Sequence, residues 1–174
     1  MRPTSGVLAH ASALACALAS ALALGGCLYG FAGGGLPPGV KTVAVLPFEN
    51  LTPEPTLTRD IQDAVRDAME GRLGLRPAGE ASADAVVRGT ISRYEPDLPV
   101  AYQGNANTEV QVTQRLVQIT VAVEIVDQRS GRTLWERSSL TLDGNYDPGR
   151  ELDGRRRAYE RLVTNIVEGA QSQW

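Results

Sequence analysis

Cys16, Cys27 and His10 are the only thiol and imidazole side chains in the 174-residue chain. Nucleophilic catalysis needs a nucleophile beside a base, and zinc needs a set of Cys or His ligands. All three residues lie at or before Cys27, so the rest of the sequence holds neither set. No Gly-rich phosphate cradle and no dinucleotide fingerprint occurs. Carboxylate pairs exist at Asp60/Asp63 and Glu151/Asp153. Their spacings suit solvated helix or loop positions better than a paired acid and base. The expectation is a chain with no catalytic residue, no metal ligand set and no cofactor, which points to binding rather than turnover.

Cys27 ends a distinctive leader. Arg2 is the only charge ahead of it, an Ala/Leu-rich run extends from about Val7 to Leu24, and small residues follow. A charged start, an apolar run and a small-residue site read as a secretory signal peptide. The run is about long enough to span a bilayer, so a retained helical anchor competes with that reading. It is the weaker of the two, because no polybasic stop-transfer segment follows. Leu24-Gly25-Gly26-Cys27 resembles the bacterial lipobox, a Leu and two small residues before a Cys. That resemblance implies cleavage before Cys27, a diacylglycerol on its thiol and acylation of the new amino terminus. Each buried methylene adds about 0.8 kcal/mol, so several acyl chains make a durable anchor. Cys16 and His10 would leave with the leader. The remainder would be one unit more negative than the −3 of the whole chain, which argues against general nucleic-acid binding.

Residues 28–39 are rich in Gly and Pro, the composition of a flexible tether. The expected organisation is a signal peptide at 1–26, a lipidated tether at 27–39 and a single domain at 40–174. Within the domain, Val43 to Leu46 read as a short strand buried on both faces. Leu57, Ile61, Ala64, Val65, Ala68, Met69 and Leu73 form one helical stripe, with Thr56 or Thr58 as cap and Gly74 as stop. A second strand covers residues 83–95, and 96–107 read as a loop by their Pro, Gly and Asn content. Val117 to Ile125 alternate in a long third strand. The opposite parity of Val110 and Val112 predicts a bulge near Gln114 to Leu116. A turn at Gly131 leads to a hairpin partner. After a loop over 145–154, Tyr159, Leu162, Val163, Ile166, Val167 and Ala170 mark a last helix. The order β-α-β-β-β-α predicts an α/β (α+β) two-layer sandwich, with two helices packed on one face of a small mixed sheet.

The segment Gly35 to Leu57 resembles the start of the LptE-type lipopolysaccharide-assembly lipoproteins. The matching features are the lipobox Cys27, Phe31 in the tether, Leu36-Pro37-Pro38, a strand ending Pro47-Phe48-Glu49-Asn50, then Thr52 and Glu54-Pro55. "RGTISRYE" and "IVDQRSGRTLWE" resemble that family's later strands and hairpin. The resemblance implies a non-enzymatic outer-membrane lipoprotein facing the periplasm. Its partner would be an LptD-type β-barrel translocon, which such proteins plug and help assemble, and lipopolysaccharide is a second expected ligand. Leu28 after Cys27 is unlike an inner-membrane retention Asp. Similar strands occur in activators of periplasmic cell-wall synthases and in curli-secretion-type pore subunits, so both remain competing readings. A pore subunit needs paired spanning strands of roughly 9–11 residues; only the strand near 109–126 and its partner approach that.

The residues expected to carry binding follow. Arg150, Arg155, Arg156, Arg157 and Arg161 are the densest basic group and match phosphate by guanidinium geometry. Glu151, Asp153 and Glu160 dilute them, and a solvated helix face with internal ion pairs is the plainer reading. Tyr102 and Tyr146 are expected in loops, where an exposed ring would anchor a partner. Phe48 and Trp135 are assigned to packing. Pro47 to Thr52 stays open between a strand exit and an interface.

Overall fold

The computed structural model describes residues 36–104 and 110–172. The predicted segments Cys27, Leu24, Gly25 and Gly26 lie outside the described residues. A six-stranded mixed sheet carries two helices. β1 (Thr42–Val45) pairs in parallel with both β3 (Arg76–Pro77) and β4 (Ala85–Gln103). Being internal explains its unbroken apolar run: Val43 and Ala44, which point to opposite faces, are both buried. Pro47 interrupts the strand, and β2 (Glu49–Asn50) resumes pairing along β4. β5 (Gln111–Asp127) and β6 (Thr133–Tyr146) complete an antiparallel meander, giving the order β3-β1-β4-β5-β6 with β2 beside β4. Strands β2 and β3 are two residues long, too short for any periodicity to announce them.

Helix α1 (Thr56–Gly71) and helix α2 (Glu151–Ser172) lie on the same face, touching one another and the sheet. Leu57, Ile61, Val65 and Met69 of α1 are fully buried, each contributing about 1.5–3 kcal/mol of apolar transfer. The cap differs from expectation. Pro55 occupies the N-cap position without a side-chain bond, and the Glu54 carboxylate accepts from the Thr56 N–H at 3.3 Å and hydroxyl at 2.7 Å instead. Gly74 and Gly131 stand at the expected helix stop and turn, each with φ of +66°.

Two expected loops are largely regular structure. Residues 96–103 continue β4, because beyond Ile91 the strand has lost β2 and pairs with β5 alone. A free edge tolerates Pro96 and Pro99, whose missing N–H groups need no partner there. The register shifts between Glu95/Leu98 and Pro99/Ala101 place extra residues on β4, and one between Ala101/Tyr102 places an extra residue on β5. The last of these skips Thr113, which reverses the parity of Val110 and Val112 relative to Val117 as the pattern predicted. The second expected loop, 145–154, narrows to a turn over 147–150 between the end of β6 and the start of α2. Gly144 and Gly154 beside it serve close approach. A Cβ built on Gly144 would lie 1.8 Å from the Gly154 carbonyl oxygen, so only glycine lets α2 cross β6 here.

Asp84 locks the start of the domain. Its Oδ2 accepts from the N–H groups of Lys41 (2.9 Å) and Thr42 (3.0 Å) and from the Thr42 hydroxyl (2.9 Å), and Arg129 pairs with the other oxygen. These bonds, the Lys41 N–H foremost and the Thr42 hydroxyl next, hold the carboxyl at about 2 against a usual 3.8. A depressed folded-state pKa contributes stability above the unfolded value and loses it as pH falls through the folded one. The stability difference between wild type and Asp84→Asn should therefore be constant above pH 5 and vanish between about pH 4 and pH 2, read from urea midpoints. Gly144→Ala should cost about 1–3 kcal/mol or more by overpacking against backbone, read in the same assay.

Candidate interaction surface

β4 and β5 run past the rest of the sheet. The last rung of β6 is Tyr146 opposite Arg115, so residues 100–103 and 111–114 pair only with each other. They make a two-stranded ribbon with both faces open. Val100 (45% exposed), Tyr102 (60%) and Val110 (65%) sit on it. Leu51 and Leu152, the other large apolar residues exposed among those described, lie in the half of the molecule from which the ribbon emerges. Single exposed apolar residues are ordinary, but their collection on one projecting element is not.

A clamp fixes the ribbon's base. The Tyr146 hydroxyl shares its proton between the Pro96 carbonyl at 2.7 Å and Asp97 Oδ1 at 3.1 Å. Arg115 pairs with the same Asp97, and Gln118 donates to Asp143 at 3.0 Å three rungs below. The Arg115 hydrogen bond, followed by the Tyr146 hydroxyl, holds the Asp97 carboxyl below its usual range. Burial, then the bond to Asp97, pushes the Tyr146 phenol up. Tyr146 is thus not the exposed loop residue expected: it ends a strand with its ring 4% exposed. It aims the ribbon and presents nothing to a partner. Tyr102, also expected in a loop, stands on the ribbon and is exposed.

The five arginines do not converge on one patch. Arg155 turns inward. Its side chain is 14% exposed, stacks over the Tyr94 ring at 5.0 Å, and bonds Glu151 Oε1 (Nε 3.0 Å, Nη2 2.9 Å), Glu54 (3.3 Å) and the Thr56 hydroxyl (3.0 Å). Tyr94 completes the cluster by donating to Glu151 at 2.5 Å. Arg150 and Arg156 share Asp153 at 2.6 and 3.2 Å. Arg157 donates to the Asn145 carbonyl and lines a shallow groove with Arg161, Thr164 and Asn165. The suspected carboxylate pairs are likewise engaged. Asp63 faces Arg59 and Arg66, and Asp60 accepts from Tyr159 at 3.4 Å.

Pro47 to Thr52 resolves as scaffold for most of its length. Phe48 is 2% exposed and lies over Gly89, where a Cβ would come within 2.4 Å of its ring. Asn50 Oδ1 accepts from the Thr52 N–H (2.9 Å) and hydroxyl (2.8 Å), and its amide donates to the Glu54 carbonyl at 2.8 Å. The motif therefore turns the chain from β2 into α1 and delivers Glu54 to Arg155. Leu51 is its exposed large apolar residue. Trp135 is buried, as assigned.

Two variants probe this arrangement. Tyr146→Phe should cost about 1 kcal/mol globally, while hydrogen exchange accelerates in residues 96–103 and stays unchanged in Val117–Ile125. Phe48→Ala should cost about 3–5 kcal/mol in denaturant unfolding, because the slot over Gly89 cannot close.

Among curated proteins, none matches this chain. Several solved structures share its fold at low identity. PelC from Paraburkholderia phytofirmans, solved as a dodecamer, is 17% identical, with 79% of this chain and 93% of that one covered and a TM-score of 0.50. A lipoprotein of Neisseria meningitidis is 16% identical over 73% of this chain and 98% of that one, TM-score 0.43. The rare lipoprotein B of Shewanella oneidensis is 14% identical over 73% and 87%, TM-score 0.37. At such identities the first likeness extends to the fold alone, and the other two carry no argument. The family model for LptE, described as lipopolysaccharide-assembly, matches residues 40–169. That span takes in the sheet, both helices and the Phe48–Glu54 scaffold, and by it the chain belongs to the LptE family.

Proposed function

We propose that this chain is an outer-membrane lipoprotein, anchored through Cys27 and facing the periplasm, that plugs and helps assemble an LptD-type β-barrel translocon for lipopolysaccharide. The observation that carries this reading is the family match across residues 40–169; the lipobox-like Leu24-Gly25-Gly26-Cys27 supports the anchor. The role is stoichiometric rather than enzymatic. Lipidation raises local concentration at the membrane, and a rigid domain with an aimed, partly apolar ribbon supplies the surface that a barrel would hold. Lipopolysaccharide contact falls to Arg150, Arg156, Arg157 and Arg161, since Arg155 is committed to Glu54 and Glu151.

Affinity purification of the lipidated protein from outer membranes tests the proposal. A large β-barrel recovered at one-to-one stoichiometry is the expected result. Recovery of a cell-wall synthase with no barrel overturns it. Cys27→Ser should move the protein out of the outer-membrane fraction.

A further inference from the structure

The two ends of the sheet are not equivalent. The chain reaches the domain at the end where β1 and β4 begin, beside the Asp84 lock, with Leu36 and Val40 packed on the core. The ribbon leaves from the other end. From the Ala85 rung to Tyr102, β4 covers about 56 Å at roughly 3.3 Å per residue. The segment from Cys27 to Leu36 spans at most about 30 Å when fully extended. A lipid on Cys27 therefore keeps the Asp84 end near the bilayer and cannot let the molecule invert to drive the ribbon into it. A flat posture would press charged side chains onto the bilayer in order to seat three apolar ones. Those are Arg88, Glu124 and Glu136 on one face, and Arg156, Glu160 and Arg161 on the other.

The ribbon's free edge also restricts what it meets. A strand adding to β4 beyond β2 would face Pro96 and Pro99, which have no N–H to offer. Recognition along that edge then runs through side chains rather than through the backbone ladder. Tyr146, Asp97 and Arg115 fix the base, so the ribbon is presented ready-aimed and little ordering cost falls on binding.

We infer that the ribbon is an end-on docking element for a folded protein, which receives Val100, Tyr102 and Val110 at the end of the domain far from the lipid anchor. The occupant is a protein wall with an apolar recess, not a bilayer and not a strand added to β4. Identifying that protein as the barrel rests on the function proposed above.

The test places a photoreactive residue, one at a time, at Val100, Tyr102, Val110, Ser138 and Arg161 in the full-length lipidated protein, with irradiation in intact cells. Barrel adducts from the ribbon positions at least tenfold over Ser138 and Arg161 are expected. In parallel, Val100→Asp with Tyr102→Asp should lower the co-purified barrel at least tenfold without moving the melting temperature, since both side chains are exposed. Lipid adducts at Tyr102 overturn the inference. Barrel adducts confined to Ser138 or Arg161 overturn it while leaving the proposed function standing. Absence of a barrel from every position and from the purification defeats the proposed function itself.

Discussion

The rest of the structure depends on how β4 is paired. For its first half the strand has neighbours on both sides, with β1 and then β2 in parallel and β5 antiparallel. For its second half it has β5 alone. The doubly paired half sits under both helices and supplies Ala85, Val87 and Ile91 to the core. Beyond Tyr94 the singly paired part has no such cover, tolerates proline, and largely exposes its side chains. One strand thereby joins a rigid two-layer body to a free-standing ribbon. No hinge separates them, because Tyr146 and Arg115 tie the junction at Asp97.

The polar cluster around Arg155 does comparable work one layer away. Burial opposes the charge on Arg155, and the bonds to Glu151 outweigh it, so the guanidinium stays ionised. An ion pair left half-made in such a place would be costly, whereas this one is satisfied by Glu54, Glu151 and Thr56 together. Its effect is geometric. The starts of α1 and α2 are held at fixed separation against Tyr94 of the sheet. The exposed pairs of Arg150 and Arg156 with Asp153 contribute far less, about 0–1 kcal/mol each.

Much of this was legible in the residue pattern. The helical stripes, the buried first strand, the parity switch before Val117 and the turn at Gly131 all appear where spacing placed them. The misreadings share a cause. Pro96, Pro99, Gly144 and Gly154 are locally ambiguous, and their meaning lies in what is opposite them. Proline signals a loop unless a strand edge is free; glycine signals a break unless another backbone must come close. The Arg group was only partly legible for a related reason. Clustering along the sequence said nothing about the helix face each side chain would occupy, and Arg155 found a carboxylate 101 positions earlier. No spacing rule could have paired those two. Phe48 was read correctly as packing, but nothing short of the fold shows that Gly89 makes room for it.

That distance of 101 positions between Glu54 and Arg155 has a consequence for how the molecule is made. Ribosomes and export channels release a chain amino end first. The β2-to-α1 turn emerges early, and Glu54 then waits for a guanidinium near the far end of the domain. Phe48 likewise waits for Gly89, and β6 waits for α2 to lay Gly154 against it. No early fragment can close the core by itself, because its residues run from Val43 to Ile166.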